Sequence, residues 1–123
     1  RRRFTGAGVA APSHGAYPAA MRELAAAERV PLVDLTASST ALWNRAGVEG
    51  TKEHFLHLSA GESPNYPDGV EDNTHFQAFG AIEVARLVAT GLRDRGAVPP
   101  HRFRRLAAPV PTGSIVWPGT PPY

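Results

Sequence analysis

The sequence predicts an α/β layer fold, because helical and strand patterns alternate along residues 17–95. The helical stretch "YPAAMRELAAAERV" leads directly into the short apolar run "VPLVDL", and two further helical stretches follow. One predicted strand cannot make a sheet by itself, so we expect its neighbours elsewhere.

The first helix is predicted from Pro18 at its start and an apolar stripe through Met21, Leu24 and Ala25. The run "VPLVDL", residues 30–35, is short and contains valines, which favours a buried parallel strand. Asp34 would then lie at the strand end where α/β sheets place ligands. Its alternative role, which we favour, is to cap a helix or turn.

The stretch "TASSTALWNRAG" predicts a short helix with Ser38 or Ser39 as the N-cap and Gly47 near its end. Trp43 on this helix is interpreted as a core residue rather than a platform for sugar. The stretch "TKEHFLHL" fits either a helix or a strand, and "SAGESPNYPDGVED" contains too many turn formers for regular structure.

The clearest element is "HFQAFGAIEVARLVATGLRDRG". Small and apolar residues form one continuous face of an α-helix, namely Gly80, Val84, Leu87, Val88, Gly91 and Leu92. We expect Gly96 to end this helix.

Composition limits the possible functions. The chain has 123 residues and a net charge of +2, so charge does not indicate a nucleic-acid or membrane-surface partner. The absence of cysteine excludes disulfides, thiolate metal sites and cysteine nucleophiles. No apolar run is long enough to span a bilayer.

Residues 97–123 contain seven of the twelve prolines, which predicts an extended tail. The basic cluster "HRFRRLAAPVP" could contact nucleic acid, but we favour a solvated arm. Ile115, Val116 and Trp117 could dock on another chain.

The stretch "DNTHFQ" contains the strongest chemical motif. Asp72 precedes His75 by three residues, so its carboxylate could orient the imidazole while the second ring nitrogen faces a serine. The alternative is purely structural, because Thr74 and Gln77 fit a helix capping box. The two interpretations are compatible, since a cap would fix the backbone that aims His75.

The stretches "YPAAMRELAAAERVPLVDL", "ALWNRAGVEGTKEHFLHL" and "NYPDGVEDNTHFQAFGAIEVARLVATGL" resemble the C-terminal half of SGNH (GDSL-type) hydrolases, in the rhamnogalacturonan acetylesterase branch. The resemblance covers about residues 1–96. It implies a three-layer α/β/α sandwich and hydrolysis of carboxylic esters, often acetyl groups on plant polysaccharides, without metal or organic cofactor. It also implies that His75 is the general base and that Asp72 orients it.

The sequence departs from this family in one large respect. The Gly-Asp-Ser nucleophile block, the oxyanion-hole glycine block and the Gly-x-Asn-Asp block do not occur in it. Two other serines, Ser13 in "APSHG" and Ser114 in "TGSIVW", lack the expected context. The chain also begins without Met, so we interpret it as the C-terminal part of such an enzyme, inactive alone.

The remaining candidates are weaker. His54 and His57 could share a helix face and bind zinc, although packing or sugar contact is favoured. Tyr66, just before the Asp72–His75 motif, is a candidate for substrate contact.

The resemblance favours an ester hydrolase acting on an acetylated carbohydrate, with no nucleic-acid or membrane partner. The alternatives are a non-catalytic interaction module, able to self-associate through an unpaired sheet edge, and a metal-binding module. The family would allow secretion, but the chain contains no signal peptide.

Overall fold

The computed structural model describes residues 1–115, which contain three α-helices and a two-stranded antiparallel sheet. In chain order the elements are α1 (Tyr17–Ala27), α2 (Leu35–Gly50), β1 (Phe55–Leu58), β2 (Val70–Phe76) and α3 (Ala78–Asp94). Short 3-10 turns cover Thr51–Glu53, Pro100–Arg102 and Thr112–Ser114. The α/β class is confirmed at this level, but the described residues do not by themselves form a three-layer sandwich.

Helix α1 begins as predicted, with proline in its first turn. Its apolar stripe is not covered, because Met21 and Leu24 are 59% and 62% exposed and Ala25 alone is buried. This helix therefore presents apolar side chains to the surface of the described structure.

The strand predicted over residues 30–35 is wrong. Residues 30–34 run between α1 and α2 without strand pairing, and Leu35 already belongs to α2. An apolar run becomes a strand only beside a neighbour that completes its hydrogen bonds, and no described strand pairs with it. Val33 packs against α3 instead, where a side chain added at Gly91 would collide with it.

The N-cap of α2 is Asp34 rather than Ser38 or Ser39. Asp34 Oδ1 accepts the Ala37 N–H at 2.9 Å, and Oδ2 accepts a hydrogen bond from Arg22 Nη1 of α1 at 2.7 Å. The Ala37 bond, and after it the Arg22 bond, lower the pKa of this carboxyl below its ordinary value. The capping role of Asp34 is confirmed. Gly47, with φ 72°, interrupts the helix near its predicted end.

The core lies between α2 and the sheet. Leu42, Trp43 and the fully buried Phe55 form its centre, and Val84 and Leu87 of α3 pack against it. The Trp43 and Phe55 rings lie 5.1 Å apart, and the Phe55 ring lies 5.0 Å from that of Phe76 in β2. Trp43 is therefore a core residue, as predicted, and the end of β2 is tied to the same aromatic cluster.

Helix α3 is confirmed, with Gly96 at φ 65° just beyond its end. Its first turn lies directly on the backbone before β1. Gly80 is buried there, and a Cβ at this position would collide with the carbonyl and Cα of His54. The glycine is required for this close approach.

Part of the tail lies beside α3. Residues 106–110 lie beside Phe79, Glu83 and Arg86, and Arg86 Nη2 donates to the Pro109 carbonyl at 3.4 Å. A boundary at residue 96 stays a prediction, and Val116 and Trp117 lie outside the described residues. Among the described helices, none has the length and apolar character that crossing a membrane requires.

Replacing Gly80 with alanine should destabilise the chain, because the added methyl group cannot fit between α3 and the His54 backbone. Overpacking of this kind costs roughly 1–3 kcal/mol, which urea denaturation would measure. Gly50→Ala is the matched control, since its Cβ would meet the Ala46 Cβ at an ordinary 3.7 Å. Equal stabilities of the two variants would contradict the close approach.

Candidate active site

Asp72 and His75 lie in a bulge of strand β2. Phe55 pairs with Phe76 and His57 pairs with Glu71, so one residue of β1, Leu56, faces the four residues 72–75 of β2. A bulge redirects side chains away from the regular alternation of a strand. The helical stretch predicted from His75 onward therefore starts later than expected, because the helix begins only at Ala78.

The Asp72 carboxylate binds both the bulge backbone and the imidazole. Its Oδ1 accepts the backbone N–H groups of Thr74 at 2.6 Å and His75 at 2.9 Å. Its Oδ2 lies 2.7 Å from His75 Nδ1. This is an Asx-type turn in which the same carboxylate also orients the ring.

These bonds determine the charge of the pair. The His75 side-chain bond, followed by the two backbone N–H bonds, lowers the pKa of Asp72 from 3.8 to about 2. The carboxylate is therefore ionised at neutral pH and favours the tautomer in which Nδ1 carries the proton. The His75 side chain is 75% exposed, and its Nε2 has no hydrogen-bond partner among residues 1–115. That nitrogen is free to accept a proton.

The capping box predicted for Thr74 and Gln77 is wrong. Gln77 occupies the N-cap position of α3 but makes no side-chain cap bond. Its Nε2 instead donates to the carbonyls of Phe55 at 2.7 Å and His57 at 3.0 Å. Both carbonyls belong to the residues of β1 that flank Leu56, so Gln77 adds hydrogen bonds to β1 where regular strand pairing is interrupted.

Asn73 in the bulge contacts Arg2, and the motif did not reveal this contact. The Arg2 N–H donates to the Asn73 carbonyl at 2.7 Å, and Arg2 Nη1 donates to Asn73 Oδ1 at 3.1 Å. They lie 71 positions apart in sequence, so no local pattern could have indicated the contact.

Tyr66 lies in the turn-rich segment between the strands. It forms an isolated bridge with Ser63 and is 37% exposed. Neither Asp72 nor His75 is among its hydrogen-bond partners in the described residues, and its contact with substrate stays a prediction.

His54 and His57 lie in different environments. His54 packs edge-on between the rings of Trp43 and Phe79, at 5.2 and 4.9 Å, which confirms a packing role. His57 lies in β1 with Nε2 3.1 Å from Asn73 Oδ1. Within residues 1–115, no group of three or more His, Cys, Asp and Glu side chains could hold a metal ion.

Neither of the two serines singled out in the sequence is linked to the pair. Ser13 precedes α1 and Ser114 lies in the last 3-10 turn, and neither is a hydrogen-bond partner of His75 in the described structure. Within residues 1–115 the arrangement is therefore an imidazole with a hydrogen-bonded carboxylate, and neither of these two serines is attached to it.

Replacing His75 with alanine should raise the pKa of Asp72 above about 2 but leave it below 3.8, because the backbone N–H bonds remain. In the wild type, the ionised carboxylate stabilises the fold above pH 3.8, and this contribution is lost as the pH falls through about 2. Carbon-13 NMR titration of the Asp72 carboxyl would measure both values. Glu71→Gln, which changes an exposed neighbouring carboxylate, is the control and should leave the pKa of Asp72 unchanged. An unchanged Asp72 pKa in His75→Ala would contradict the contact between the carboxylate and the ring.

Two bacterial proteins match this chain. It is 47% identical to rhamnogalacturonan acetylesterase RhgT of Bacillus subtilis (strain 168) over 96 residues, which are 78% of this chain and 41% of the relative. It is 36% identical to the probable rhamnogalacturonan acetylesterase YesY of the same organism over 80 residues, 65% of this chain and 33% of the relative. The chain thus spans less than half the length of either.

No family model matches the chain, and no solved structure matches it at a significant level. Both relatives carry the name rhamnogalacturonan acetylesterase, the second as a probable one. The chain is therefore related, over less than half of their length, to the rhamnogalacturonan acetylesterases, the branch of the SGNH hydrolases that its sequence resembles.

Proposed function

We propose that this chain supplies the general base and its orienting carboxylate to an SGNH-type acetylesterase that acts on an acetylated plant polysaccharide such as rhamnogalacturonan. The observation that carries the proposal is the 2.7 Å contact of Asp72 Oδ2 with His75 Nδ1, which leaves Nε2 exposed. The relatives named as rhamnogalacturonan acetylesterases support the substrate class.

In the proposed reaction His75 acts twice. Its Nε2 removes the proton of a serine hydroxyl while the serine oxygen attacks the acetyl carbonyl. Ionised Asp72 stabilises the imidazolium that forms, and the imidazolium then protonates the departing sugar oxygen. Water repeats the sequence on the acetyl-enzyme, releasing acetate and restoring the serine.

The serine and the oxyanion donors come from outside this chain in the proposal. The sequence contains no Gly-Asp-Ser block, and donors to the oxyanion are often the largest contribution to acyl-transfer catalysis. Beside the bulge, Thr74 and Phe76 line an open, largely apolar groove of about 390 Å³ together with Trp43 and Val84. We place the remainder of the enzyme against this groove.

A chimera tests the catalytic roles. Residues 1–96 of this chain would replace the corresponding segment of B. subtilis RhgT, and the product would be assayed on acetylated rhamnogalacturonan. His75→Ala and Asp72→Asn should each lower kcat by about 10³-fold or more, the order of loss seen when a triad member is removed. Glu71→Gln, which changes the neighbouring exposed carboxylate, should keep the parent activity.

An active chimera whose activity survives His75→Ala would overturn the proposed base. The isolated chain should not hydrolyse p-nitrophenyl acetate above the rate of free imidazole. Faster hydrolysis that disappears with His75→Ala would show that a nucleophile lies within these 123 residues.

A non-catalytic interaction module is the second candidate, favoured by the uncovered stripe on α1. Tyr17, Met21 and Leu24 lie at i, i+4 and i+7 and are all exposed. If this face binds a second copy, light scattering should give a mass above that of the 13.1 kDa monomer. Met21→Glu should restore the monomer, and Ala19→Glu, on the opposite side of the helix, should not. A monomeric wild type would count against this candidate.

A further inference from the structure

The centre of the bulge is held from a distant part of the chain. Arg2 bonds to Asn73 twice, through its backbone N–H at 2.7 Å and through Nη1 at 3.1 Å. Asn73 directly follows the carboxylate of the proposed pair. The two bonds therefore tie the backbone between Asp72 and His75 to Arg2.

The other side of the Arg2 guanidinium is fixed to the end of α2. Its Nε donates to Thr51 Oγ1 at 2.9 Å, and its Nη2 donates to the Val48 carbonyl. Thr51 is fully buried, and its hydroxyl donates in turn to Val48 O at 2.9 Å. Arg2 Cζ also lies 5.5 Å from the centre of the Phe4 ring. A planar guanidinium that donates several hydrogen bonds fixes the positions of its partners better than the flexible ammonium group of a lysine does.

His57 completes the arrangement from the sheet. Its Nε2 lies 3.1 Å from Asn73 Oδ1, the same oxygen that receives Arg2 Nη1. The Asn73 side chain is thus held by α2 through Arg2 and by β1 through His57. Asp72 accepts the backbone N–H groups of Thr74 and His75 inside the bulge. Arg2 and His57 contact the oxygens of Asn73 from outside it.

We propose that Arg2 is a positioning residue for the Asp72–His75 pair and acts through Asn73. The inference has two parts. The geometric part, that Arg2 fixes the position of the pair, concerns the chain itself, whereas the catalytic part, that this position matters for the rate, rests on the proposed function. Because a misplacement of about 1 Å at a reacting group can cost roughly 100-fold in rate, a tether of this kind would matter for catalysis.

The geometric part is tested by NMR on the full chain with three variants. Arg2→Ala should raise the Asp72 pKa from about 2 toward 3.8 and give nitrogen-15 shifts of His75 typical of mixed tautomers. Arg2→Lys, which keeps the charge without the fork, should give intermediate values. Arg3→Ala is the control, because Arg3 is exposed and its side chain makes no hydrogen bond within residues 1–115.

Unchanged Asp72 and His75 signals in folded Arg2→Ala would overturn the proposal, whatever the change in melting temperature. If Arg2→Ala fails to fold, Asn73→Ala provides the test, since it removes the shared acceptor and leaves Arg2 on Thr51 and Val48. Unchanged signals in that variant would overturn the proposal equally.

The catalytic part is read from the RhgT chimera. Arg2→Ala should lower kcat by about 10-fold or more with KM within about twofold, because orientation and not substrate binding is lost. If kcat stays the same although His75→Ala abolishes activity, the catalytic part of the inference is overturned. If the NMR signals of Arg2→Ala shift while both Arg2→Ala and His75→Ala keep the parent kcat, Arg2 positions the pair but the pair is not catalytic. That outcome rejects the proposed function and keeps the geometric inference.

Discussion

The contact between the first turn of α3 and strand β1 is the constraint on which the rest of the described structure depends. Gly80 lies on the His54 backbone, and the Gln77 amide bonds to the carbonyls of Phe55 and His57. Helix α3 cannot begin elsewhere without losing both contacts, and β2 must end two residues before the helix starts. The bulge with Asp72 and His75 is therefore placed by packing that involves neither side chain.

This placement explains how an exposed segment keeps a defined geometry. Regular strand pairing is lost across residues 72–75, and an open bulge would leave backbone groups without partners. Asp72 satisfies two of the donors, and Arg2 binds the Asn73 carbonyl. The carboxylate that completes the local turn is the same one that orients the ring, so the bulge and the ionised pair stabilise each other.

Local patterns predicted some of these elements and not others. The i, i+4 and i+7 spacing was sufficient for α3, and Pro18 with good helix formers was sufficient for α1. The pairing of β1 with β2 joins segments across a turn-rich loop, so nothing local distinguished residues 70–76 from that loop. The apolar run at 30–35 is not a strand, since Val33 packs on α3, and an apolar run alone does not identify the partner of its side chains. The three-residue spacing indicated that Asp72 and His75 interact; the Arg2 contact required the fold.

The exposure of the pair fits the proposed role of the chain as one portion of an active site. A base that is 75% exposed is solvated, and electrostatic stabilisation of a developing oxyanion is strongest where water is excluded. The neighbouring groove is apolar, and Phe76 at its edge is 40% exposed although its ring contacts the core aromatics. Covering this groove would bury Phe76 and Thr74, the two residues that flank His75 in β2. In the proposed enzyme this would complete the apolar surface beside the bulge, while the contacts that orient the His75 ring are already formed within residues 1–115.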